Sequence, residues 1–224
     1  MNIPTQNICI GLHRSVTVKF DGPKLPLIIC GLSTLNIKPP RLFNNLVPEC
    51  KPIVARSRCY SSKDKQFIKS EIIRMLNEGI IEPSNSPWRA QTVVMKEKKE
   101  RLVIDYSETI NRFTQLDAYP LPRINEYINQ IAQYKIFSKI DLKSAYHQIP
   151  INEIDKPYSA FEANGSLYQF RRMPFGVTNG VSCFQRIMDE FICENPSLMH
   201  FHILMIQQYA QKHRRSMIPI SKNF

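Results

Sequence analysis

Acid is what this sequence is short of: 19 Asp and Glu stand against 30 Lys and Arg, a formal net charge of +11 over 224 residues. That surplus, with a pI near 9.5, points to an anionic partner, nucleic acid before a membrane surface. A generically basic surface is the plainer alternative. Long apolar runs are missing too. No stretch approaches the ~18 residues of a membrane span, and the opening MNIPTQNICIGLHR lacks the apolar block of a secretory signal. The expectation is an intracellular protein, neither secreted nor membrane-bound, whose six cysteines (9, 30, 50, 59, 183 and 193) stay reduced. None is spaced as CxxC or set against histidines at finger spacing, which argues against structural zinc. There is no GxGxxG and no GK[ST], so PFGVTNG is not a P-loop. No serine has a nucleophile-elbow setting, which leaves Ser-His-Asp catalysis with little support.

What is present is an ordinary globular composition, 43% hydrophobic and 22% charged, enough for one domain or two small ones. Prolines at 23, 26, 39, 40 and 48 forbid a long helix in residues 1–50. That segment reads as a connecting arm with one strand, SVTVKF. In KQFIKSEIIRMLNEG, Ile68, Ile72, Met75 and Leu76 recur at helical spacing, Ser61 or Ser62 caps the start, and Gly79 suits the end. IIEPSNSPW breaks the chain and places Trp88 at a turn. QTVVMK and RLVIDY flank the charged hinge EKKE as a hairpin. INEYINQIAQ reads as a second helix with Ile124, Tyr127, Ile128 and Ile131 on one face. IFSKID, YSAFEA and SLYQFRR read as strands, LKSAYHQ as a turn of helix, and MPFGVTNG as a loop. A third helix, VSCFQRIMDEFI, spaces Val181, Phe184, Met188 and Phe191 to bury one face. Helices mix with antiparallel-looking strands without regular βαβ alternation, an α+β arrangement.

The best chemical candidate is Asp141, in KIDLKSAYHQIPI. A strand-end carboxylate suits Mg²⁺, which takes one or two carboxylates plus substrate phosphates. It suits equally well the capping of the short helix that follows. Asp105 in VIDYS is weaker, since a salt bridge or turn contact explains it as well. Lys96, Lys98, Lys99 and Arg101 surround a hairpin tip that would clamp a triphosphate, grip a nucleic-acid backbone, or simply be solvated. Trp88, Tyr106, Tyr146, Tyr168 and Phe170 could stack on bases, with core packing the ordinary role of such rings.

Two blocks carry a resemblance. EGIIEPSNSPWRAQTVVMKEKKERLVIDYSETINRFTQLDAYPLPRINEYINQIAQYKIFSKIDLKSAYHQIPI and then KPYSAFEANGSLYQFRRMPFGVTNGVSCFQRIMDEF resemble the reverse transcriptase of gypsy-like LTR retrotransposons. The likeness runs from about Val16 to about Glu194, and the arm ending in CGLSTLNIKPP looks like the join to a preceding protease. The resemblance implies an RNA-directed DNA polymerase with a right-hand fold. Fingers would be residues 51–118 and 149–179, a partial palm 119–148 and 180–198, with residues 1–50 the arm and the thumb absent. It implies an RNA template, a DNA primer and dNTPs as partners, and Mg²⁺ or Mn²⁺ as cofactor. On this likeness Asp141 is the first metal-binding carboxylate, with the Leu142 main-chain oxygen beside it. Tyr146 stacks under the incoming sugar and excludes a 2′-OH, while Lys96 and Arg101 hold the triphosphate. Phe175 and Gly176 lie near nucleotide and template, and Gln185 helps hold the palm helix or the template.

Nucleotidyl transfer between two ions ~3.5–4 Å apart needs carboxylates from at least two places. The family brings the others from a Tyr-x-Asp-Asp hairpin after the helix that here reads VSCFQRIMDEFI. In this sequence no acid follows Glu194. The genetic code suggests why. Read one base out of phase, Met205 followed by Ile206 gives GAT, an aspartate with no freedom of choice. Leu204 with Met205 allows a second aspartate, and His202 with Ile203 gives tyrosine or histidine, so the shifted frame permits Tyr-x-Asp-Asp. Residues 199–224 are therefore expected to be an out-of-frame tail, with the frame lost between about Cys193 and Met199. The chain as written is expected not to polymerise DNA. A non-catalytic nucleic-acid-binding relic or domesticated fragment is the alternative. The coding DNA should read TAT-NNN-GAT-GAT, one base out of phase, across the codons for His202 to Ile206; sequencing that finds any other series contradicts the shifted frame.

Overall fold

The structure, a computed structural model, describes residues 38–96, 100–121, 123, 126, 129 and 144–194, and the backbone of four strands outside them. Three of those strands lie in the arm: β1 (Asn7–Ile10), β2 (Ser15–Val18) and β3 (Leu27–Cys30). The single strand expected at SVTVKF is thus one of three. Each is a short β-branched run free of proline, with Pro23 and Pro26 falling between β2 and β3. Two compact units divide the chain, Met1–Ile187 and Met188–Phe224. The described part of the second is the end of one helix.

Helix α1 (Ser62–Asn77) follows the sequence pattern closely. The Ser61 Oγ accepts the Asp64 N–H at 3.2 Å, which satisfies one of the orphan donors of the first turn. Ile68, Ile72 and Met75 are buried along one face, with Leu76 half-buried. Gly79, at φ +64°, turns the chain out of the helix in a conformation that a Cβ would strain.

The core sheet has five strands: β4 (Ile81–Pro83), β5 (Ala90–Lys96), β6 (Glu100–Asp105), β8 (Phe161–Ala163) and β9 (Ser166–Phe170). Between β6 and β8 in sequence comes β7 (Lys139–Leu142), which pairs elsewhere. The spatial order is β4-β9-β8-β5-β6, antiparallel except where β5 runs parallel to β8. The predicted β5–β6 hairpin is therefore at one edge. Its tip residues Lys98 and Lys99 lie outside the described residues, as does most of the predicted helix at INEYINQIAQ, of which Glu126 and Asn129 are seen as helical.

Burial settles the role of several rings. Trp88 is 4% exposed and packs edge-on against Phe113 and Tyr158. Tyr106 is 1% exposed and donates its hydroxyl to the Ser159 carbonyl at 2.9 Å; burial pushes that phenol well above its ordinary pKa. Phe170 is also in the core, so these three are packing residues and not base-stacking platforms. Ser159 joins the layers, since its Oγ accepts the Phe170 N–H at 2.9 Å and donates to the Lys156 carbonyl at 2.6 Å.

The arm's end is fastened by charge. Asp155, fully buried, accepts the Leu42 N–H at 2.6 Å and the Arg41 Nε at 3.2 Å. These partners compensate a carboxylate that would otherwise be costly to bury. Helix α2 (Gly180–Glu194) buries Cys183, Phe184, Gln185, Ile187 and Met188, while Val181 and Phe191 are half-buried. Its apolar face is thus centred closer to Phe184 and Ile187 than the spacing of Val181, Phe184, Met188 and Phe191 suggests. Among the described residues no helix is long and apolar enough to cross a membrane.

Candidate active site

The site is organised by the loop between β9 and α2. Gly176, at φ +88°, brings its backbone against β6: a Cβ built there would lie 3.3 Å from the Ile104 carbonyl oxygen and 3.8 Å from the Tyr106 ring. Only glycine meets both demands, a positive φ and a close approach. The Asn111 side chain, from the 3₁₀ turn Ile110–Phe113, holds both sides of that glycine. Its Nδ2 donates to the Gly176 carbonyl at 2.7 Å and its Oδ1 accepts the Thr178 N–H at 2.9 Å. Asn179, 4% exposed, fastens the helix start: its Oδ1 accepts the Asp117 N–H at 3.0 Å and its Nδ2 donates to the Gln115 carbonyl at 2.8 Å. Asp117 in turn accepts Arg186 Nη2 at 2.9 Å, and that guanidinium lies 4.6 Å from the centre of the Tyr119 ring.

Held this way, Phe175 stacks on Tyr146, with centroids 4.9 Å apart and planes 15° from parallel. Tyr146 is 3% exposed and tilts against Phe184 on its other flank. A Cβ on Gly180 would lie 3.4 Å from the Tyr146 ring, so that glycine also packs closely on it. Phe175 is 40% exposed and is the solvent-facing member of the pair. Burial, then the neighbouring Cys183, pushes the Tyr146 phenol up. His147 packs edge-on to Phe175 at 4.9 Å and against Phe170. Tyr146, His147, Phe170, Phe175 and Phe184 thus form one aromatic cluster.

The expected triphosphate clamp is arranged differently. In the β5–β6 register Lys96 faces Glu100 and Met95 faces Arg101. Directly paired residues share a face and neighbours alternate, so Lys96 and Arg101 project from opposite faces of the hairpin. Lys96 is tied to Asp64 of α1 at 2.6 Å, and Lys63 reaches Glu100 at 3.6 Å on the same side. The hydrogen bond to Asp64 raises the Lys96 pKa and lowers that of Asp64. Arg101 lies on the other face, with the half-exposed Met95 and Val103. Gln185 is 6% exposed, inside the protein and not on an open surface.

Of Asp141 and Leu142 the structure describes the backbone, in β7. The helical turn that follows, Ala145–Gln148, is preceded at its N-cap position by Ser144, at φ +50°. Asp141 lies three residues before that cap position, and its side chain lies outside the described residues. Asp105 accepts the Ser107 N–H and hydroxyl and pairs with Arg58 at 3.6 Å, the turn contact that its sequence setting suggests. Among the described residues no three His, Cys, Asp or Glu converge as a metal site. Asp141 is the carboxylate of β7, a donor type that suits a divalent ion.

Comparison with known proteins places this geometry. The family profile for "Reverse transcriptase (RNA-dependent DNA polymerase)" matches residues 88–210, more than half of the chain, and runs on into the segment expected to be out of frame. The chain belongs to the reverse transcriptase family. It is 36% identical over 152 residues to the retrovirus-related Pol polyprotein from transposon gypsy of Drosophila melanogaster, covering 64% of this chain and 15% of that one. It is 35% identical over 151 residues to the corresponding polyprotein from transposon opus of the same fly, with the same coverage. Polyprotein P3 of Commelina yellow mottle virus is 31% identical over 187 residues, 76% of this chain and 10% of that one. The chain therefore spans a small fraction of the polyproteins it matches. In fold it is similar to the foamy viral protease–reverse transcriptase in complex with RNA/DNA hybrid, at TM-score 0.59 and 20% identity, covering 72% of this chain and 21% of that one. That likeness establishes the polymerase fold with its mixed sheet.

Sequence reasoning missed Asn111, Asn179, Asp117 and Arg186. Asn and Asp beside turns are a visible signal for side chains that bond to backbone. Their partners, more than sixty residues away, were not visible.

His147 gives the site a pH signature. Burial first, and the nearby Arg74 charge second, lower its pKa from 6.5 to about 4. Between those values the unfolded chain binds a proton that the folded protein refuses. Stability is therefore complete above pH 6.5 and falls as pH drops toward 4, by about 2–3 kcal/mol. Urea midpoints measured across that window should fall more steeply for wild type than for His147→Phe. Parallel pH profiles for the two would show that His147 titrates normally.

Proposed function

We propose that this chain is the nucleic-acid- and nucleotide-facing portion of a retrotransposon reverse transcriptase, and that as written it binds template without extending a primer. The observation that carries the reading is a contrast. The aromatic floor of Tyr146 and Phe175 is assembled, yet no acid after Glu194 is available to join Asp141. Residues 51–118 and 149–179 act as fingers, and 119–148 with 180–198 as the first part of the palm. The five-stranded sheet with α1 and the loop leading into α2 support that division.

In this reading Phe175 forms the surface under an incoming nucleotide and Tyr146, stacked behind it, sets the depth of the sugar pocket. Gly176 allows close approach of the template, and Gln185 holds the helix behind it. Arg101 takes the phosphates. Lys96 joins it only after leaving Asp64 and crossing the hairpin edge. A divalent ion, magnesium or manganese, would use the Asp141 carboxylate and the Leu142 carbonyl and would neutralise phosphate charge. The missing second carboxylate leaves that ion without the companion that transfer requires.

The partners are an RNA template and a DNA primer, in keeping with the net charge and with the RNA/DNA hybrid bound by the foamy viral relative. Binding by cationic side chains releases counterions and is steeply salt-dependent. Fluorescence anisotropy with a labelled RNA–DNA hybrid should show affinity falling at least about tenfold between about 50 and 200 mM salt. Arg101→Ala should weaken binding and reduce the magnitude of the log–log salt slope by about one. Failure to bind, or binding indifferent to salt, would remove the reading.

A further inference from the structure

We propose that the arm strand β1 is a built-in cover for the strand that carries Asp141. β1 lies parallel to β7 in full register: Asn7 opposite Lys139, Ile8 opposite Ile140, Cys9 opposite Asp141 and Ile10 opposite Leu142. All four residues of β7 are matched, so one edge of that strand is satisfied along its whole length from within the chain. Among the described residues the sheet formed by β1 and β7 has no third strand. That edge of β7 thus has an occupant.

Sequence and topology both support the pairing. No proline lies between Pro4 and Pro23, the stretch that contains β1 and β2, and β1 alternates two isoleucines with Asn7 and Cys9. Isoleucine favours strands, and a proline-free run leaves every amide able to enter a ladder. β2 and β3 close on each other as an antiparallel pair, Ser15 opposite Cys30 through Val18 opposite Leu27. They therefore satisfy each other locally and leave β1 to find a separate partner. Parallel pairing cannot come from a tight turn; it needs a long crossover. Here the crossover is residues 11–138, which include α1 and strands β4, β5 and β6, so β1 ties the arm to the middle of the chain. The entropy of closing so long a loop rises only slowly with its length.

The consequence concerns other chains. An open strand edge accepts any strand that offers amides and carbonyls. With β1 in place, a strand supplied in trans, including an acidic hairpin from another polypeptide, must displace the arm to reach this edge of β7. The pairing does not depend on whether the chain extends primers, so failure of the reading above and failure of this one are distinguishable.

The test is a disulfide in the full chain. Neighbouring strands lie about 4.8 Å apart, within the Cα separation that a disulfide spans. Cys9 should therefore bond within the same molecule to the cysteine introduced by D141C. In K139C the separation from Cys9 is about 8 Å, beyond that limit. Mild oxidation followed by peptide mass spectrometry should show the bond forming at least tenfold faster in D141C than in K139C. Equal rates, no bond, or a bond linking two chains would overturn the proposal. A second measurement covers the case in which D141C misfolds. Backbone amide exchange at residues 140–142 is compared between the native chain and the I8P/C9P variant, whose two prolines remove ladder donors of both parities. Protection there should drop at least tenfold while that of β5 and β6 is kept; unchanged protection would overturn the proposal independently.

Discussion

One side-chain amide fixes the geometry on which the rest of the site depends. Asn111 donates to the Gly176 carbonyl and accepts the Thr178 N–H, so a single planar group spans the loop between β9 and α2. Gly176 meets the other half of that constraint by adopting φ +88° with its backbone close to Ile104. Neither feature would be sufficient alone. A glycine without the amide would leave the loop free to move, and the amide without a glycine would press a Cβ onto the β6 carbonyl. Together they deliver Phe175 to Tyr146 and start α2 where Phe184 can back that ring. Tight packing of this kind transmits constraint from a turn near residue 111 to a surface near residue 175.

Charge is distributed with equal consequence. Several acids pair with cations that fasten the scaffold (Asp155 with Arg41, Glu82 with Lys156 and Arg171, Asp117 with Arg186, Asp64 with Lys96). Burial raises the Glu82 pKa, but hydrogen bonds from Gln169 and Lys156 and the charges of Lys156 and Arg171 together hold it below its ordinary value. The sheet directs Arg101 away from the face on which Lys96 and Glu100 are engaged with α1.

Much of this was legible in the sequence where the signal is local. Ser61, the Ile68–Ile72–Met75 spacing and Gly79 delimited α1 within a residue or two, and the two β-branched runs around EKKE marked the β5–β6 hairpin. The motifs around Asp141, Tyr146 and Phe175 pointed to the family. What stayed hidden depended on pairings distant in sequence. Lys96 and Arg101 are five residues apart and look like one clamp, yet the cross-strand register puts them on opposite faces. Tyr146 was expected beneath a sugar, and only the packing showed Phe175 covering its ring. The arm read as a connector with one strand, SVTVKF, its prolines excluding a long helix. β1 needs β7, more than a hundred residues away, and no local periodicity announces a parallel partner.

The proposed reading is that a nucleotide faces the Tyr146–Phe175 pair and that this chain, in which no acid follows Glu194, does not extend a primer. Primer extension by the purified chain on an RNA template, with dNTPs and either Mg²⁺ or Mn²⁺, tests that most directly when run beside Asp141→Asn. The account predicts no template-dependent product from either protein. Extension by the native chain that disappears in Asp141→Asn would contradict it.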